Sequence, residues 1–319
     1  MTTCAETAGR QNELDFAKYV LILLMIAFHL VYIGDSYPYA KQVVYTFHMP
    51  GFLVISGYLL NVRKSWRQFA MAVLCIFVPY VLMESAYVAG AAVLPIREHI
   101  DHLSLNLYID KVLLHPLGPY WYLHTLLLCS MVLFVVSRAK AVPAIGRFVL
   151  VGLVYAALWH GGVVSLACAL YFLGGAVLRH YGWRLAEVTP RTMWSGFLAA
   201  LLAFFPENMD KGSVGGVLTV CLVLGFLFSL YRWLQRRNAR ILRPLLYVGR
   251  NTLPLLLFSP VFTVLAKVYQ PVLVGMDRSG MVFMVVSVAM AVAGSLWIGW
   301  LLDRLHLSRF LFVKEKIMR

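Results

Sequence analysis

Apolar runs of bilayer length recur from one end of the chain to the other, separated by short stretches that hold nearly all the charge. They fall at residues 14–34, 43–62, 69–94, a run opening with PYWYLHTL at 119–126, then 145–160, 161–178, 194–205, 214–231, 253–269 and 281–302. About 20 apolar residues suffice to cross the hydrocarbon core as a helix. The pattern therefore predicts an all-α polytopic membrane protein of about ten transmembrane helices. The short 194–205 run and the tight junction at 159–163 also fit nine or eleven. One membrane domain spans 14–302, between a tail over 1–13 and a basic tail over 303–319. Pro50, Gly51 and Gly57 make the second run irregular, and Pro79 interrupts the third. Broken helices survive at membrane depth only where protein or a cavity satisfies the freed backbone groups, which places a cavity beside the first run.

Composition agrees: 61% of residues are hydrophobic and 13% charged, and the mean hydropathy is +0.78. The net charge of +14 reports orientation and contact with anionic membrane lipids, and nucleic acid is set aside as a partner. Of the 28 Lys and Arg, 21 lie in one alternate set of segments: Arg10; Arg63, Lys64 and Arg67; Arg138, Lys140 and Arg147; Arg179, Arg184 and Arg191; six between Arg232 and Arg250; and five from Arg304 onward. Five lie in the other set: Lys41, Arg97, Lys111, Lys211 and Arg278. Cytoplasmic loops hold the excess of basic residues, so both termini are expected in the cytoplasm and the first run is expected to be retained.

Two ionisable residues stand inside the first run. Lys18 and His29 are eleven residues apart, which on a helix puts them within roughly 20° of one another and about 16 Å apart along the axis. Lys18 falls near the cytoplasmic boundary, where it is able to snorkel, and His29 nearer the outer one. Glu84 is the one acidic residue deep in any run. Ionisable groups at such depth mark function or a paired structural contact.

The five cysteines show neither a disulfide framework nor metal-ligand spacing. His99 and His102 with Asp101 are a conceivable zinc set, but no second pair accompanies them, so no metal is expected. The polar stretch 95–119 is long enough to fold over a mouth.

At the first two runs the chain resembles the membrane acyltransferase-3 family, the multi-pass O-acyltransferases of bacterial surface glycans and lipids. The family's first-helix pattern of an aspartate, a basic residue three further on and a histidine after ten more is matched by Asp15, Lys18 and His29. FHMPGFLVISGYLL at 47–60 follows, as in fucose 4-O-acetylase-like relatives, with a basic loop leading to a proline, here Arg63, Arg67 and Pro79. The WYL of PYWYLHTL looks like the family's WFL segment, and VGRNTLPLLLFSPVF at 248–262 looks like its late Gly, Asn and Ser or Thr stretch. Where many relatives carry a second histidine, this chain has Ser259, and Lys64 intrudes beside the loop arginines.

The resemblance implies acyl transfer from acyl-CoA, most simply acetyl-CoA as co-substrate, to a hydroxyl of a surface glycan or lipid-linked sugar, in the bacterial inner membrane. No cofactor is implied. The residues accommodate this chemistry. An imidazole such as His29 titrates near working pH and suits general-base work on a hydroxyl. CoA is a cytosolic polyanion, and the guanidinium groups of Arg63 and Arg67 match its phosphates bidentately, with Lys64 beside them and Lys18 as a point charge at the inner mouth. A developing oxyanion needs a donor, for which Ser56, Trp121 or backbone N–H groups near Pro50 and Gly57 are candidates. His48 is a further supporting residue, and Glu84 a candidate to orient the imidazole or pair with Lys18. The competing class is a proton- or ion-coupled transporter using Lys18, His29 and Glu84 as a relay, although no inverted repeat is visible.

Overall fold

The computed structural model describes residues 11–93 and 100–318 and is helical, with no strand among the described residues. The helices are α1 (Asn12–His29), α2 (Val31–Ser36), α3 (Pro38–Leu59), α4 (Trp66–Val93), α5 (Leu105–Leu113), α6 (Trp121–Val136), α7 (Ala144–His160), α8 (Leu166–His180), α9 (Leu185–Val188), α10 (Trp194–Leu202), α11 (Val214–Arg237), α12 (Ala239–Arg250), α13 (Thr252–Met276), α14 (Met281–Arg304) and α15 (Ser308–Leu311). Two 3₁₀ turns, Gly118–Tyr120 and Pro206–Met209, lead into α6 and precede α11.

Among the described residues, five segments are long and apolar enough to cross a membrane: α4, Gly118–Val136, α11, α13 and α14; α7 and α8 are shorter apolar helices. Large apolar side chains on α7 and α14, among them Ile145, Leu153, Val285 and Trp297, lie exposed, the surface expected of helices solvated by lipid rather than water. The run at 194–205 yields only the nine residues of α10, about 14 Å of helix against a hydrocarbon core of about 30 Å.

The first helix is the hub. α1 packs against α3, α11, α12, α13 and α14, and Ala17, Leu21, Ile22 and Ile26 along it are fully enclosed. Glu13 and Asp15 in its first turn complement the positive end of the helix dipole. The apolar run does not continue as one helix to residue 34. It ends at His29, Leu30 turns extended with its N–H bonded to Ala27 O, and α2 begins at Val31.

The second run departs from its expected irregularity. α3 begins five residues earlier, with Pro38 in its first turn, where a missing N–H costs nothing. It stays helical through Pro50, Gly51 and Gly57. The glycines serve packing. A Cβ on Gly57 would sit 1.9 Å from the Phe172 carbonyl oxygen, and one on Gly175 would sit 1.9 Å from that of Val54. α3 and α8 thus cross backbone against backbone at two reciprocal glycines, the close approach by which membrane helices gain dispersion contact. α4 likewise runs through Pro79 without interruption.

The segment 239–250, read as part of a basic loop, is an amphipathic helix. Leu242 and Leu246 of α12 are buried with Phe16 and Tyr231, while Arg240 and Arg243 face outward. Gly249 closes the contact, since a Cβ there would lie 1.9 Å from Asp15 O.

Candidate active site

Lys18 and His29 stand on one helix, each in a distinct setting. At the N-terminal end of α1, Lys18 Nζ lies 2.8 Å from Asp15 Oδ1, and Arg250 Nε lies 3.4 Å from Asp15 Oδ2. Arg250 Nη2 also donates to Asn12 Oδ1 at 3.0 Å. Lys18 is therefore paired to a buried carboxylate rather than standing alone at a mouth. Arg250 is a member of this cluster that loop-charge reasoning passed over. Its sequence signal was its position beside Gly249 in the VGRNTLP stretch.

At the other end, His29 closes α1. Its Nδ1 lies 2.7 Å from Met25 O, and since a carbonyl only accepts, Nδ1 carries the proton and Nε2 is left as the lone-pair nitrogen. The ring faces a cavity of ≈380 Å³ whose lining includes Lys41, Tyr45, His48, Trp121 and Lys211. His48 on α3 repeats the arrangement, with Nδ1 2.8 Å from Val44 O. Its Nε2 is buried with no hydrogen-bond partner among the described residues. The Tyr45 ring lies near both imidazoles, 6.1 Å from His29 and 5.0 Å from His48. Lys211 Nζ sits 5.7 Å from the Trp121 ring centroid and Lys41 Nζ 5.6 Å from that of Tyr45. The structure brings together His29, His48 and Trp121, and adds Lys41, Tyr45 and Lys211. The two lysines had been read only as loop charges, although they are two of the five basic residues in that sparse set.

Other expected participants are elsewhere. Ser56 and Tyr122 share a hydroxyl–hydroxyl hydrogen bond of 2.9 Å, and neither lines the cavity. The backbone near Gly57 is committed to helix packing, so it supplies no free oxyanion donor. Glu84 is fully buried on α4 and accepts the Leu117 N–H at 2.6 Å, which sets it to holding the entry to α6 rather than at the Lys18–Asp15 pair. Gly118 follows with φ +56°, and a Cβ there would strike the Tyr87 ring at 2.5 Å. Tyr120 OH donates to Leu257 O at 3.0 Å. Glu84, Tyr87 and Leu257 thus clamp the turn that delivers Trp121 to the cavity. The 100–119 stretch lies along α4, with Tyr80 OH donating to Val112 O at 2.7 Å, and reaches the cavity only at Pro119. Ser259 is buried on α13 and does not line the His29 cavity.

The basic loop belongs to a second cavity. Arg63 lines a space of ≈720 Å³ with Arg138, Arg147, Arg179 and His180, and no residue of α1 reaches it. The Lys64 carbonyl accepts from Arg138 Nη2. Arg67, in the first turn of α4, is exposed and outside the lining. The expected donor set of Lys18, Arg63, Lys64 and Arg67 is thus split between two places. Among the described residues no group of three His, Cys, Asp or Glu converges; His99 lies outside them.

Apolar helices of bilayer length, a lipid-facing surface and an imidazole cavity at the end of a central helix define a multi-pass membrane protein. Residues 11–300 match the family model of the acyltransferase-3 group, described as an acyltransferase domain. The chain belongs to this family. It is also 45% identical over 75 residues to the nodulation protein NolL of Mesorhizobium japonicum, a match covering 20% of each chain. The chain thus matches about a fifth of the length of that curated relative. No solved structure matches.

Proposed function

We propose that the protein is an O-acyltransferase that moves an acyl group, most simply acetyl, from cytosolic acyl-CoA to a hydroxyl of a cell-surface glycan or lipid-linked sugar. The observation that carries this reading is the placement of His29 at the end of α1, on the cavity. The His29 Nδ1–H is held by Met25 O at 2.7 Å, which leaves Nε2 as a base at a cavity of ≈380 Å³.

In this reading Nε2 of His29 takes the proton of the acceptor hydroxyl as its oxygen attacks the thioester carbonyl. The tetrahedral intermediate then collapses with cleavage of the C–S bond, and the imidazolium returns the proton to the departing CoA thiolate. Proton transfer of this kind contributes typically 10²–10⁴-fold. Lys41, Lys211 and the Trp121 N–H are the donors near enough to the cavity to stabilise the oxyanion. The Trp121 ring offers an apolar face to a sugar.

The loop charges favour a cytoplasmic position for both termini and donor entry from the side of Lys18 and Arg63, and the family resemblance favours a bacterial inner membrane. Incubating the purified protein with acetyl-CoA labelled in the acetyl group tests the reading. Label should pass to an added hydroxyl acceptor in wild type and not in His29→Gln. Transfer by that variant within a few fold of wild type would remove His29 from the mechanism.

A further inference from the structure

The second cavity is not needed to explain the fold, and its lining has an unusual chemistry. Arg63 follows α3, Arg138 follows α6, Arg147 stands at the start of α7 and Arg179 at the end of α8, around ≈720 Å³. No carboxylate is among the lining residues, and among the described residues none of the four guanidinium groups is ion-paired. Each of two is fixed by one backbone carbonyl: Arg138 Nη2 donates to Lys64 O, and Arg147 Nη1 to Ser137 O at 2.9 Å. The Nε atoms of both are buried without a hydrogen-bond partner. Aromatic rings hold the planes, with Arg138 4.3 Å from the Phe134 centroid and Arg179 5.6 Å from that of Tyr58.

Helix ends alone do not account for this concentration of charge. Three C-termini, those of α3, α6 and α8, meet here, each worth about half a negative charge. Four guanidinium groups more than double that, so the cavity keeps a net positive charge. Clustered arginines, with Arg138 and Arg179 set against rings and the Nε donors of Arg138 and Arg147 unused, match the oxygens of a phosphate ester, which guanidinium groups bind bidentately.

We propose that the cavity between α3, α6, α7 and α8 is a binding site for a phosphate-bearing anion, held by Arg63, Arg138, Arg147 and Arg179. Two sources share this chemistry: the phosphates of acyl-CoA, an assignment that rests on the acyl-transfer reading above, and the headgroup of an anionic phospholipid. In the first case the donor's phosphates dock beside Arg63, and its thioester arm runs along α3 toward His48 and His29. His48 and Asn61 lie about 20 Å apart on that path at 1.5 Å per residue.

The test uses the full chain in nanodiscs of phosphatidylcholine, with no acceptor present. Binding of radiolabelled CoA, its competition by inorganic pyrophosphate, and retention of added phosphatidylglycerol are measured for wild type, for Arg147→Gln with Arg179→Gln, and for the outward-facing control Arg243→Gln. A drop of at least tenfold in CoA and pyrophosphate affinity in the double variant alone supports the site with CoA as its source. Loss of retained phosphatidylglycerol with CoA affinity unchanged supports it with a lipid headgroup. Wild-type affinity for all three probes in the double variant overturns it. Unliganded thermal unfolding checks the fold; if the double variant does not fold, Arg179→Lys keeps the charge while removing the fork, and weaker binding in it supports the site as unchanged binding overturns it. Because these arms read binding and not turnover, wild-type affinity for all three probes in the double variant, with His29-dependent transfer measured separately and intact, would refute this site and leave the acyltransferase mechanism standing.

Discussion

Asp15 and Arg250 are 235 positions apart in the chain, and Arg250 Nε lies 3.4 Å from Asp15 Oδ2 where α12 crosses α1 at Gly249. The same carboxylate holds Lys18 at 2.8 Å, so one buried anion is shared by two cations. Removing it leaves both without a counter-charge, the circumstance in which a buried ion pair matters most. Asp15→Ala is expected to cost about 3 kcal/mol and to lower the thermal unfolding midpoint by several degrees. Lys18→Ala, which leaves Arg250 on the carboxylate, should cost less. Equal midpoints for wild type and Asp15→Ala would show that the cluster is solvated rather than structural.

His29→Ala is expected to abolish transfer while expression and membrane insertion stay near normal, because one polar side chain at a helix end adds little to the hydrophobicity of α1. The pH profile carries a second expectation. The base must be neutral, so kcat/KM should fall as pH drops through the imidazole ionisation and level off above it. A flat profile on the acid side would argue for a different base.

Arg63 and Arg67, equivalent in sequence terms, are now distinguished. Arg63 lines the arginine cavity and Arg67 does not. Arg63→Ala should raise KM for acyl-CoA with little change in KM for the acceptor, as loss of binding at a remote phosphate predicts, and Arg67→Ala should do so more weakly. Raising ionic strength should imitate the Arg63 change in part, since exposed charges are screened beyond about 8 Å at physiological salt. Equal effects on both substrates would point to altered folding instead.

At the α3–α8 crossing no side chain fits. Gly57→Ala would place a methyl group 1.9 Å from Phe172 O, against backbone that has no rotamer through which to give way. The helices must separate, at a cost above the roughly 1–3 kcal/mol of ordinary overpacking. Gly174→Ala, one position from the contact and with nothing within 4 Å of the added carbon, is the matched control. Yield of folded protein after detergent extraction should drop for the first and not the second.

Sidedness can be read in sealed, right-side-out vesicles. Acetyl-CoA loaded inside should acylate an acceptor supplied only outside, and acetyl-CoA added outside should be inert. Transfer that runs equally well with donor on the outer face would overturn the through-membrane reading even with His29 essential.

Much of this protein was determined by one-dimensional pattern. In a bilayer every backbone group must be satisfied within its own segment, so an apolar run of sufficient length becomes a helix whatever surrounds it, and the runs containing α4, α11, α13 and α14 could be read directly. The ionisable residues of the first run stood out for the same reason, because lipid makes them costly. Asp15, Lys18 and His29 also carried the family resemblance before any contact was known. What needed the tertiary structure were relationships between distant segments, which leave no periodic trace. Pro50 and Gly57 predict a broken helix to local propensity, yet α8 supplies a backbone surface against which only glycine packs. The segment 239–250 counts as loop charge until Phe16 and Tyr231 give Leu242 and Leu246 an apolar surface to cover. Lys41, Trp121 and Lys211 acquire a common cavity, and Arg63 leaves Lys18 for Arg138, Arg147 and Arg179, only when the helices have packed.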